Sequence, residues 1–162
     1  MEIKIKKPVP YLSTKHYDNF PCAHRQWKHP GVCQLIHGYS RSFTFTFGSW
    51  ELDECGFVVD FGSLKAIKQY LEETFDHKLL LNKDDPLLPA FRALEKQGAC
   101  QITLMPHGVS MEGTAQQLCE VVSALVKSIT DGRCWVVSVE SRENSKNSGI
   151  YLNPKCPFPR IN

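Results

Sequence analysis

The feature that most restricts the fold of this chain is the strict alternation of phenylalanine and threonine from Phe43 to Phe47. Successive side chains of a β-strand point to opposite faces, so the pattern predicts a strand with one buried apolar face and one polar face. We expect this strand to begin at His37 and to end near Leu52. Its phenylalanines require a second layer of structure that covers them.

The remaining segments divide into helices and strands. Residues 63–75, which Ser63 can cap, and residues 114–129 carry apolar side chains at helical spacing, and a shorter helix is expected at Ala90–Lys96. Strands are expected at four further segments, residues 15–24, 101–105, 134–141 and 148–152. Grouped strands and helices predict an α+β sandwich, in which an antiparallel sheet carries helices on one face.

Length and composition limit the partners and the compartment. The 162 residues are expected to form one domain, residues 1–162, and a net charge of +2 gives no reason to expect nucleic acid or an anionic membrane as a partner. No apolar run has the length of a signal-peptide core or of a membrane helix. The seven cysteines include no CxxC pair, which favours reduced thiols. We therefore expect a cytoplasmic protein.

Two histidines lie where a metal could bind. His24 ends one predicted strand and His37 begins the next, so antiparallel pairing across the loop would bring their imidazoles together. Neutral imidazole is a common zinc ligand, and catalytic zinc typically has three protein ligands and one open position. The alternative is that these histidines bind no metal and are either exposed to solvent or hydrogen-bonded in the core. Two histidines alone do not exclude this alternative.

Three further groups have the chemistry of a catalytic or binding site. Cys33, in the loop between the histidines, is either a base or nucleophile or a small buried residue. Asp76 and His77 are adjacent, and an aspartate that orients a histidine is a common proton-transfer pair. Glu140, in a valine-rich strand, is either a solvent-facing residue or an anchor that accepts two parallel N–H donors. Alternation places Glu140 on the same face as Val136.

Six short motifs occur in an order that resembles one enzyme family. They extend over about residues 16–152 and read FPCAH, CQLIHGY, GFVVDFGSLK, FDHKLLLN, GTAQQL and VSVESRENSKNSGIY. In this order they resemble the 6-pyruvoyltetrahydropterin and 6-carboxytetrahydropterin synthases. The resemblance implies a tunnelling fold (T-fold), a four-stranded antiparallel sheet with two helices on one face that oligomerises into a β-barrel. It also implies a homohexamer, a dimer of trimers, with active sites between subunits.

The same resemblance implies a reaction. The substrate would be the pterin 7,8-dihydroneopterin triphosphate, and the position of Cys33 four residues before His37 resembles the bacterial 6-carboxytetrahydropterin synthases. That branch releases acetaldehyde and triphosphate and supplies queuosine and other 7-deazaguanines. The alternatives are a 6-pyruvoyltetrahydropterin synthase, a dihydroneopterin side-chain lyase and a pterin-binding homologue without turnover.

Residue roles also follow from the resemblance. Cys33 would abstract a proton from the substrate side chain, with Asp76 and His77 as its relay. Glu140 would hold the amino and ring N–H groups of the pterin, with Thr114 nearby. These roles are implied by the matching motifs and not by spacing alone.

The implied zinc site lacks one ligand. Zinc would bind His24 and His37 and acidify the hydroxyls of the substrate side chain. The third family ligand is a histidine, and this chain has Tyr39 in its place. His29 is the preferred substitute, because the loop could fold its imidazole over the other two. Tyr39 and then Cys22 follow in preference, and a metal-free protein is the remaining alternative.

Two further positions differ from the family pattern. The aromatic residue that usually follows the metal motif is Arg41, and the glutamate of the Thr-Ala-Glu segment is Gln116. The resemblance therefore supports the pterin pocket and the cysteine better than it supports the metal.

Overall fold

One six-stranded sheet organises the computed structural model, which describes residues 10–158. Its strands, in chain order, are β1 (Tyr11–His24), β2 (His37–Ser49), β3 (Lys78–Asn82), β4 (Ile102–Met105), β5 (Trp135–Arg142) and β6 (Ser148–Leu152). Their order in space is β4-β3-β1-β2-β5-β6. The strands β1, β2, β5 and β6 pair antiparallel, whereas β3 lies parallel to both β1 and β4.

The expected four-stranded sheet is wrong in strand number, because β3 and β4 extend the four antiparallel strands on one side. The β3 segment carries no alternating pattern, since Leu79, Leu80 and Leu81 are all buried. Leu80 belongs to the main core, and Leu79 and Leu81 belong to a second apolar cluster on the other face. A strand that is covered on both faces has a continuous apolar sequence, which is typical of parallel strands.

Three α-helices pack on this sheet, α1 (Lys65–Phe75), α2 (Leu88–Lys96) and α3 (Met111–Ile129). The main core joins α1 and α3 to one face of the sheet, as an α+β fold requires. The third helix, α2, contacts the opposite face of β3 through Phe91, so the expectation of helices on one face alone is wrong. None of the helices within residues 10–158 is long and apolar enough to cross a bilayer.

Local hydrogen bonds set where the helices begin. A 3₁₀ turn at Phe61–Leu64 precedes α1, and the Asp60 side chain accepts the Gly62 N–H there at 2.9 Å. Ser63 therefore lies inside this turn and does not cap α1. The Ser110 side chain accepts the Gly113 N–H at 3.1 Å, so α3 begins before the expected start of the second helix.

A β-bulge decides which face of β5 carries Glu140. The register between β2 and β5 shifts at Val137, so Val136 and Val139 both lie in the core. Glu140 alternates with Val139 and points away from the covering helices. The expected common face of Glu140 and Val136 is therefore wrong, because simple alternation does not allow for an inserted residue.

Candidate active site

His24 and His37 face each other at the loop end of the β1–β2 hairpin. They are direct register partners, and their ring centroids lie 4.3 Å apart. Both alternate in phase with core residues of their own strands, such as Cys22 and Phe43, and so lie on the face covered by α1 and α3. Antiparallel pairing brings the two imidazoles together, as the hairpin pattern predicts.

Glu143 brings a carboxylate to the same point. It directly follows β5, and its Oε1 lies 3.3 Å from His24 Nε2 and 3.8 Å from His37 Nε2. Within residues 10–158 these three form the one group of three or more histidine, cysteine or acidic side chains whose donor atoms all lie within 4.8 Å of one another. Two ligands of a tetrahedral zinc ion lie about 3.4 Å apart when each is about 2.1 Å from the metal. The donor spacing therefore fits a divalent metal.

The protonation state of His24 and the hydrogen bond of His37 favour metal binding. Burial, with further contributions from Arg41 and His37, lowers the pKa of His24 to about 3, so this imidazole is neutral at physiological pH. Its contact with Glu143 is therefore not a pair of full charges. His37 Nδ1–H donates to the Leu35 carbonyl at 2.7 Å, so Nε2 is the ring nitrogen that faces Glu143. A neutral imidazole such as that of His24 can bind a cation without first losing a proton.

A buried guanidinium supports this end of the sheet. Arg41 is fully buried, and its Nη1 and Nη2 donate at 3.2 Å to Thr114 Oγ1 and to the Val109 carbonyl. Burial lowers the pKa of Arg41, whereas Cys22 and Glu143 act in the opposite direction. Thr114, expected beside the pterin, is itself fully buried against this guanidinium. The negative charge of Glu143 is thus offset by a fixed positive charge on the same face of the sheet.

The side chains expected to complete the metal shell lie outside this group. His29 is exposed, and its Nδ1 accepts the Gly31 N–H at 2.9 Å. Tyr39 is 43% exposed, and its ring centroid lies 6.1 Å from that of His37. Burial raises the pKa of Cys22, which disfavours a thiolate ligand. The structure therefore places Glu143, and not His29, beside the two strand histidines.

The position of Glu143 depends on the order of strands in the sheet. β5 pairs with β2, and the last register pair is Arg142 with Ser42. The next residue along β5 therefore approaches the β1–β2 hairpin only in three dimensions. The sequence clue to this position is strand alternation. Glu143 lies two residues beyond Ser141, which is buried, so the Glu143 side chain points toward the helices. A carboxylate on a buried face needs a partner, and a metal ion shared with histidines is one.

The residues expected to move protons lie in turns. Cys33 is half-buried in the 3₁₀ turn Val32–Gln34, in the loop between β1 and β2. Asp76 and His77 join α1 to β3, and His77 Nδ1–H donates to Asp76 Oδ1 at 2.7 Å. The His77 side chain is 82% exposed. The structure brings Asp76 and His77 together, and within residues 10–158 it shows no hydrogen bond between Cys33 and either of them.

Glu140 lies on the other face of the sheet from the metal group. It pairs in register with Thr44 of β2 and Ile150 of β6. Its carboxylate accepts a hydrogen bond from the Arg142 guanidinium. The expected pterin anchor and the candidate metal group therefore belong to opposite faces of one sheet.

Comparison with known sequences identifies relatives over most of the chain. Residues 13–154 match the sequence model of the family described as 6-pyruvoyl tetrahydropterin synthase. A Rickettsia felis protein named 6-carboxy-5,6,7,8-tetrahydropterin synthase is 36% identical over 138 residues, which are 85% of this chain and 91% of that protein.

Solved structures share the fold. An uncharacterised protein from Wolinella succinogenes has a TM-score of 0.77 at 22% identity, with 90% of this chain and 99% of that chain covered. A catalytic-residue mutant of Plasmodium vivax 6-pyruvoyltetrahydropterin synthase has a TM-score of 0.64 at 14% identity, with 88% and 98% covered. Likeness at these identities shows the fold alone.

Fold and site together define a class, an α+β domain with a candidate divalent-metal group at the end of a β-hairpin. The sequence match then makes the assignment specific: the chain belongs to the 6-pyruvoyl tetrahydropterin synthase family. The expected α+β class and the family resemblance are thus confirmed.

Proposed function

We propose that this protein is a metal-dependent carbon–oxygen lyase that converts 7,8-dihydroneopterin triphosphate into 6-carboxytetrahydropterin, with release of acetaldehyde and triphosphate. The observation that carries the proposal is the convergence of His24, His37 and Glu143 in a member of this family. The carboxy product is preferred because the Rickettsia felis relative bears that name. An enzyme with this activity would supply queuosine biosynthesis.

The donor group suits zinc in ligand type and in charge. Two neutral imidazoles and one carboxylate are a known ligand set for catalytic zinc, with the fourth position left for substrate. Zinc held by His24, His37 and Glu143 would supply Lewis-acid polarisation of the side-chain hydroxyls of the substrate. Glu143 carries a negative charge that a third histidine would lack, and the buried Arg41 offsets it. The net charge around the metal would then resemble that of a three-histidine site.

Cys33 is the proposed base. Its turn belongs to the loop that connects the strands of His24 and His37, the two proposed zinc ligands of these strands. As a thiolate it would take a proton from the carbon that bears the polarised hydroxyl. Asp76 orients His77 through Nδ1, which leaves Nε2 to exchange a proton with the thiol. The exposure of His77 supports a relay that is completed across a subunit boundary.

Glu140 is the proposed pterin anchor. One carboxylate can accept the amino and ring N–H groups of the pterin as a fork. Because Glu140 and the metal group lie on opposite faces of one sheet, a single ligand can contact both kinds of group only if two subunits contribute them. Thr114 is buried against Arg41, so its proposed contribution is to hold that guanidinium in place.

The edges of the sheet support assembly. β6 is an edge strand, and its Ile150 and Leu152 are each 60% exposed. Apolar residues on an unpaired edge favour pairing with another chain. We infer a homo-oligomer whose sheets join at their edges into a barrel, a homohexamer of two trimers by resemblance to the family.

Product formation by metal-free and zinc-reconstituted protein tests the function. Removal of metal with a chelator should abolish the product, and added zinc should restore it. His24→Ala should lose both zinc and product, whereas His29→Ala, a matched control just beyond the same strand, should retain both. Product at the parental rate from metal-free protein would overturn the proposal.

A further inference from the structure

The Glu140 carboxylate already has a partner within its own chain. Arg142 lies two residues further along β5 on the same face, and its Nη2 donates to Glu140 Oε1 at 2.5 Å. The Arg142 side chain is 35% exposed and the Glu140 side chain is 26% exposed, so the ion pair is partly shielded from solvent. Arg142 Nη1 also donates to the Ser145 carbonyl at 3.4 Å, which ties the guanidinium to the β5–β6 turn.

A guanidinium and a pterin present similar edges to a carboxylate. The guanidinium is planar, and its adjacent N–H donors match the two carboxylate oxygens. The amino group and the neighbouring ring N–H of a pterin are attached to one carbon in the same guanidine-like unit. One carboxylate cannot accept both edges fully at the same time, so a contact with Arg142 competes with a contact to a pterin.

We propose that Arg142 is an internal competitor for the Glu140 carboxylate and so sets the affinity and selectivity of the site. This inference rests on the proposed role of Glu140 as pterin anchor. A ligand with a single N–H donor replaces the charged guanidinium poorly, whereas a ligand with a two-donor edge replaces it well. Competition of this kind raises specificity at a cost in affinity.

The cleft beside Arg142 contains a second acidic side chain. Arg142 lines a cleft of about 410 Å³ together with His16, Asp18 and Ser42. The Asp18 carboxylate is the acidic group of that cleft and can accept the released guanidinium.

Equilibrium binding of neopterin to the zinc-loaded oligomer tests the inference. Arg142→Ala should lower Kd roughly three- to tenfold, the size expected when a partly shielded charge pair no longer competes. Lys146→Ala removes one positive charge from the same turn and is the matched control, which should bind as the parent does. Arg142→Lys keeps the charge without the planar fork and should give an intermediate Kd.

The outcomes separate this inference from the proposed function. A Kd for Arg142→Ala equal to or above that of the parent, with weakened binding by Glu140→Gln, would overturn the competitor and leave the anchor intact. Binding by Glu140→Gln at the parental Kd would overturn the anchor itself, and with it the competitor. Zinc content and sedimentation are measured on each variant, because Arg142 adjoins Glu143 in the chain.

Discussion

Replacement of Glu143 by glutamine should weaken zinc binding roughly 100-fold. The change preserves shape and removes the negative charge from a donor group whose Oε1 lies 3.3 and 3.8 Å from the imidazole nitrogens. The Glu143 side chain is 18% exposed, so solvent screens this charge weakly. The charged contact that is lost is the one between the Glu143 carboxylate and the bound zinc ion. Loss of one partner from a buried charged contact costs about 3 kcal/mol, which is about a factor of 100 in the Kd for zinc. The buried Arg41 would then repel the bound cation without compensation, which acts in the same direction.

Competition with a chromophoric chelator at neutral pH measures this affinity. Glu140→Gln is the matched control, because it makes the same chemical change on the opposite face of the sheet and should leave zinc affinity at the parental value. His29→Ala should also leave it unchanged. Zinc binding by Glu143→Gln at parental affinity would refute the reasoning. Weaker zinc binding by His29→Ala, with parental zinc affinity in Glu143→Gln, would instead identify His29 as the third ligand.

Further predictions concern stability, catalysis and assembly. The folded pKa of His24, about 3, lies below its ordinary value of 6.5, so the unfolded chain binds more protons between these values. The metal-free protein should therefore lose stability as the pH falls from 6.5 toward 3. Urea unfolding at a series of pH values checks this, and the free energy of unfolding of His24→Gln should depend less on pH than that of the parent. Cys33→Ala should abolish product while zinc content and neopterin binding persist, and normal turnover would move the role of base to His77. Ile150→Lys should shift sedimentation toward smaller species, and an unchanged assembly would count against pairing through β6.

The parts of the fold with a simple period could be predicted from the sequence. Alternation from Phe43 to Phe47 located β2, and apolar stripes located α1 and α3. The β3 strand carries no such period, because its leucines are covered on both faces by the main core and by α2. The bulge at Val137 could not be predicted from the sequence either, because an inserted residue is recognised only from the pairing of β5 with β2.

At the site, the sequence was sufficient for contacts made within one hairpin. His24 and His37 are register partners across a single loop, so their approach follows from strand pairing. The contact of Glu143 with them depends on β5 lying beside β2, and no local pattern encodes that order. Arg41 is also beyond local reasoning, because a buried arginine is unusual and its partner Thr114 belongs to a distant helix.

Mass spectrometry of the reaction products tests the proposed lyase activity most directly. Zinc-loaded protein is incubated with 7,8-dihydroneopterin triphosphate, and the zinc content is measured on the same sample. The proposed function predicts 6-carboxytetrahydropterin and acetaldehyde in equal amounts, with release of triphosphate. Formation of 6-pyruvoyltetrahydropterin without acetaldehyde, or unchanged substrate in the presence of stoichiometric zinc, would contradict it.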